Sequence, residues 1–226
     1  MKRIPILLML LALCIVTRSQ DLGQVNFNSG TTIKYLSLVT DDGMLIRLDD
    51  QGKILEWGYE VKADRYEYYS PKLQPFMGRI EYYTNDVDSA FRGKIKSIGT
   101  VVFTYYGKFE DSTHVGKLKT AGRVMFDYYR KYDNINIRGK LRMVGTRQIQ
   151  YYSEFENEAY RGRIRSIGST EITYYSSFDD KQIRGKVKSI AGVSYQWYTS
   201  TDGKGYGGLK VGAFRQNIAG VTYIIQ

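Results

Sequence analysis

Between Phe91 and Ser200 the apolar and polar positions alternate with a period of two, inside a longer phrase of 23 residues that occurs five times. In the first unit Phe91, Gly93, Ile95 and Ser97 alternate with Arg92, Lys94, Lys96 and Ile98; then Val101, Phe103, Tyr105, Gly107 and Phe109 alternate with Val102, Thr104, Tyr106 and Lys108. Successive side chains of a strand point to opposite faces, so this pattern predicts strands with one dry face. Apolar residues do not recur at three and four, and Val, Ile, Tyr and Phe favour strands, so a helix is excluded. Gly99 separates the two strands of this unit, which makes it a β-hairpin. Pairing Ile98 with Val102 across a three-residue loop sets Phe91 opposite Phe109, Ile95 opposite Tyr105 and Lys94 opposite Tyr106. A two-residue Gly99-Thr100 turn suits glycine but sets Lys94 against Tyr105 and mixes the faces. An odd loop or a bulge is therefore expected.

The phrase is anchored by Gly93, Gly116, Gly139, Gly162 and Gly185. Each is followed twelve positions later by an aromatic pair, from Tyr105-Tyr106 to Trp197-Tyr198. Upstream, Thr32–Val39 and Met44–Leu48 read as a hairpin across Thr40-Asp41-Asp42-Gly43. The expected organisation is a signal peptide over 1–19, N-terminal strands or a cap over 20–51, degenerate hairpin repeats over 52–90, five regular repeats over 91–200, and a glycine-rich loop with an irregular terminal repeat over 201–226. The fold class that follows is all-β: an elongated antiparallel meander of 23-residue hairpins, forming a single curled, solenoid-like sheet. Its dry face needs cover, from its own curl, from the N-terminal strands or from a second copy in a homo-oligomer. A propeller with two hairpins per blade is the competing fold, disfavoured because adjacent hairpins are nearly identical.

Composition sharpens this picture at three points. Met1-Lys2-Arg3, an apolar run from Ile4 to Val16 and small residues before Ser19–Gln20 read as a secretory leader. The run is too short for a spanning helix of ~20 residues. Its removal takes away Cys14 and lowers the net charge of +10 by three. An exported chain without cysteine is left, periplasmic or extracellular or held at the cell surface of a bacterial envelope, with disulfides and thiolate chemistry excluded. The 21 tyrosines argue against disorder. An outer-membrane barrel is disfavoured, because the drier face carries Gly, Ser, Thr and Arg130 where a lipid-facing belt is needed.

Tyr160-Arg161-Gly162-Arg163, with Gly168 at an inner-turn position, resembles the opening of a MORN repeat. The second Gly-x-Gly of that pattern is replaced by Ile172-Thr173-Tyr174-Tyr175. The resemblance covers about half the chain and implies an assembly or binding scaffold rather than a catalyst.

The candidate chemistry is a basic, tyrosine-lined face: Lys94 with Tyr106, Lys117 with Tyr129, Lys140 with Tyr152, Arg163 with Tyr175, and Lys186 with Tyr198. Cations and rings along a strand face suit an anionic polysaccharide, lipopolysaccharide, an anionic lipid surface or an envelope protein. The structural alternative is cross-strand cation–π contact and stem packing. Sole among histidines, His114 stands where other units carry Phe91, Ile137, Tyr160 and Ile183, and reads as a packing residue. Acidic connections such as Glu110-Asp111, Asp133-Asn134 and Asp179-Asp180 read as turns rather than calcium loops. No catalytic, metal or cofactor site is expected. The leading expectation is a non-enzymatic scaffold or binding protein, with a polyanion binder second and a glycan-cleaving carboxylate pair third.

Overall fold

The computed structural model describes residues 20–61, 71–85, 87–203, 205 and 207–226. The expected leader with Cys14, residues 62–70 of the expected degenerate repeats and part of the glycine-rich loop lie outside the described residues. Those described form twenty strands and no helix. They do not form one sheet. Seven strands, eleven strands and two strands make three sheets, so the single curled sheet is replaced by a repeat array and a separate N-terminal sheet.

The array runs from β6 (Ile80–Tyr82) to β16 (Val193–Ser194), each strand hydrogen-bonded to its sequence neighbour. Within a unit β7 (Ile95–Ile98) meets β8 (Val101–Tyr105) through Ile98↔Val101 and Ser97↔Val102. The turn is therefore the two-residue Gly99-Thr100, not the three-residue loop, and the pairing of Phe91 with Phe109 is overturned. Gly99, Gly122, Gly145 and Gly168 all have φ between +56° and +59°, as the first position of a II′ hairpin requires.

The mixing of faces that this turn ought to cause is cured in the other ladder. Where β8 meets β9 (Leu118–Ala121), Thr104 pairs with Thr120 and Tyr105 with Leu118, which leaves Lys119 as an extra residue. A one-residue bulge shifts the side-chain phase. Leu118 and Ala121, three apart, can both point inward and are both buried. The extra residue is basic in every unit: Lys96, Lys119, Arg142, Arg165, Lys188 and, in the two-stranded sheet, Lys210.

The seven-stranded sheet contains β1 (Asp21–Asn28), β2 (Thr32–Val39), β3 (Leu45–Leu48), β4 (Ile54–Glu60), β5 (Leu73–Pro75), β19 (Arg215–Ile218) and β20 (Val221–Ile225). The hairpin across Thr40–Gly43 is present as β2–β3. Strand β4 pairs with β3 and not with the array, and β20 returns to lie parallel to β1. One face of this sheet supplies Val25, Phe27, Leu36, Ile46 and Tyr223 to a core shared with Phe103, Phe126, Ile149 and Ile172 of the array. The N-terminal strands are thus the cover of the dry face. Each fully buried Phe or Ile contributes roughly 1.5–3 kcal/mol. Approach is close enough that a Cβ on Gly30 would lie 2.1 Å from the Trp197 ring.

Candidate binding surfaces

The first aromatic of each pair and the cation eleven residues before it form one column. Lys94 lies 5.2 Å from the Tyr105 ring, Lys117 4.9 Å from Tyr128, Lys140 5.2 Å from Tyr151, Arg163 5.6 Å from Tyr174 and Lys186 4.4 Å from Trp197. The same cations reach the next unit: Lys94 donates to the Gly116 carbonyl, Lys117 to Gly139, Lys140 to Gly162 and Arg163 to Gly185. Burial lowers the pKa of Lys94, Lys117 and Lys186. This column faces the N-terminal sheet: Lys140 pairs with Asp50 at 3.1 Å, Arg163 donates to the Thr31 carbonyl and Lys186 to Ser29.

The second tyrosines form another column. Tyr106, Tyr129, Tyr152 and Tyr175 donate their hydroxyls to carbonyls twenty residues later, at Phe126, Ile149, Ile172 and Tyr195. The cations above most of these rings are the bulge residues: Lys119 over Tyr106, Arg165 over Tyr152, Lys188 over Tyr175 and Lys210 over Tyr198. The lysines and tyrosines read from the sequence as one ribbon therefore sit in two columns, and most of their polar atoms already have partners within the fold.

His114 is buried between the rings of Tyr106 and Tyr128, with Nε2 3.2 Å from Asp127 and Nδ1 3.1 Å from the Thr113 hydroxyl. The Asp and Asn side chains of the connections are also engaged. Asp111, Asn134, Asn157 and Asp180 each accept the backbone N–H two residues on, and Asn157 and Asp180 accept a second one from the following unit. Among the described residues no cluster of His, Cys, Asp and Glu is arranged to hold a metal.

What sequence reasoning missed stands beside these caps. Phe109, Tyr132, Phe155 and Phe178 are 91%, 90%, 91% and 93% exposed, and fall one repeat apart. Each is the third residue of a four-residue turn closed by a backbone bond: Glu110 to Gly107, Asp133 to Arg130, Glu156 to Ser153 and Asp179 to Ser176. In two of these turns the acid also caps the first N–H, as Asp133 does at Arg130 and Asp179 at Ser176. Consecutive tips are two strands apart, roughly 10 Å. A ring recurring inside an otherwise polar turn was the available signal. Alternation carried past the strand end placed Phe109 on the dry face, and exposure corrects that.

A cleft of about 550 Å³ opens where the β3–β4 turn overhangs the first two units, lined by Asp49, Lys53, Ile54, Lys94, Ile95, Tyr105, Lys117 and Leu118 among others. Of the ten residues read as candidate ligands, it gathers Lys94 and Lys117. No protein-family model, curated protein or solved structure matches the chain.

Proposed function

We propose that the chain is an exported, non-catalytic binding scaffold of a bacterial envelope, built from MORN-like hairpins in an elongated, solenoid-like array, and that it holds an extended glycan along its row of exposed rings. The observation that carries this reading is the in-phase exposure of Phe109, Tyr132, Phe155 and Phe178. Large apolar side chains presented in a row to solvent mark interaction surfaces. Rings stack on the apolar faces of sugars, and a step of roughly 10 Å is close to the length of a disaccharide in an equatorially linked chain. Turn tips closed by a backbone bond, in two cases with a carboxylate cap as well, lose little freedom on binding.

The test is retention of the protein on insoluble glycans at low and high salt. Removing two rings with F155A/F178A should weaken retention about tenfold, as two stacking contacts of ~0.5–1.5 kcal/mol each would. Retention in high salt is expected. Unchanged retention by the double variant would sink the proposal. Loss of retention in salt, with the rings dispensable, would instead support a polyanion held by the bulge cations. Release of new reducing ends would indicate the glycan-cleaving alternative.

A further inference from the structure

At two places the N-terminal sheet lays a turn on the cation column, and both contacts use the same pair of donors. At Lys140-Leu141 the ammonium meets the Asp50 carboxylate at 3.1 Å while the Leu141 N–H donates to the Asp50 carbonyl at 2.8 Å. At Lys186-Val187 the ammonium donates to the Ser29 carbonyl and the Val187 N–H to the Gly30 carbonyl, at 2.8 and 2.7 Å. In both units the N–H donor is the residue just before the extra residue of the bulge, Arg142 or Lys188.

Lys117-Leu118 and Lys94-Ile95 occupy the same place in their own units, and there they line a cleft that the β3–β4 turn roofs. Neither lysine has a carboxylate within ion-pair distance among the described residues; each spends one of its three N–H donors on a glycine carbonyl. A third cation, Lys53, lines the same space. The one carboxylate lining it, Asp49, accepts the N–H groups of Gln51 and Lys53 on a single oxygen, Oδ1, both at 2.9 Å, and faces three lysines. The volume lies within the ~300–1,000 Å³ of ligand pockets.

We propose that this cleft receives an acidic peptide segment of a partner protein, with an Asp or Glu carboxylate on the Lys117 ammonium and the carbonyl of the same residue on the Leu118 N–H. The occupant repeats what Asp50 does one unit further on. Ile54 and Tyr105 provide apolar walls for its neighbouring side chains, and the charge balance of the lining favours an anion. Lys94-Ile95 offers a second position of the same kind, roughly 10 Å away across two strands.

The probe is the blocked tetrapeptide acetyl-Asp-Asp-Gln-Gly-amide, a copy of residues 49–52, titrated into isotope-labelled protein while the backbone amide signals are followed. Saturable shifts are expected at Leu118. Replacing the second Asp of the peptide by Asn should weaken binding about tenfold, as the loss of a charge-assisted contact does. That comparison uses the unaltered protein and is independent of any folding defect. Lys117→Met should weaken binding to the same degree, whereas Lys119→Met, on the neighbouring tyrosine column, should leave it unchanged. Three results would overturn the proposal: no saturable shift at Leu118, equal binding of the Asn peptide, or identical shifts produced by acetate at matched concentration, which would mark a bare anion site.

Discussion

The anchor glycine Gly116 answers to two demands. Gly116 has φ of +70°, and a Cβ there would lie 2.8 Å from the Ala90 carbonyl oxygen of the preceding unit. Backbone, unlike a flexible side-chain end, cannot move aside cheaply. Gly168, in an inner turn, has φ of +57° with open space around it. Gly116→Ala should therefore cost about 2–3 kcal/mol, the dihedral penalty plus the clash. Gly168→Ala should cost about 1 kcal/mol, the dihedral penalty alone. Urea midpoints of the two variants check this, and equal losses would refute the close approach. The spacing of these glycines was plain in the sequence. That Phe109 leaves the sheet was not, because alternation reports only on residues still in a strand.

In each hairpin, a two-residue turn that mixes the faces is reconciled with a dry side by a bulge one ladder away. The intra-unit ladder alone contains the conflict; the remedy lies between units. Tyrosines of the second column then tie successive units together. Tyr152 donates to the Ile172 carbonyl at 3.0 Å, so Tyr152→Phe should lower stability by about 1 kcal/mol. Phe155, three residues further, touches almost nothing, and Phe155→Ala should stay within ~0.5 kcal/mol of the parent. Thermal unfolding of both variants separates the two aromatic populations, one that holds the array together and one that faces solvent. A large loss in Phe155→Ala would return that ring to the core and remove the basis of the binding row.

Across the molecule, chain ends far apart in sequence close on each other. Arg215 on β19 forms an ion pair with Glu60 on β4, and Gln24 on β1 donates to the same carboxylate. Burial pushes the Glu60 pKa up, but the bonds from Arg215 and Gln24 outweigh it and hold the pKa below its ordinary value of 4.5. A carboxylate depressed on folding stabilises the fold above its unfolded pKa, and that contribution is lost as pH falls through the folded value. The thermal midpoint should therefore decline as pH is lowered from about 4.5. Glu60→Gln should lower the midpoint at neutral pH and flatten the decline. An unchanged slope in that variant would show that the clamp contributes nothing to acid sensitivity.

Strand content, hairpin units, their period and the need for a covered face are all legible in the order of residues, because each follows from local alternation and from the demands of a tight turn. So is the chemical character of the lysine and tyrosine columns. The assignment of β4 to the N-terminal sheet, the parallel return of β20 and the bulge that resets each unit required the folded chain. They depend on pairings between residues as much as two hundred positions apart, where many registers satisfy the same local pattern. The same holds for the candidate surfaces: which cations lie under a covering turn and which face a cleft is set by where the seven-stranded sheet comes to rest, and the repeat, being the same in every unit, carries no trace of it.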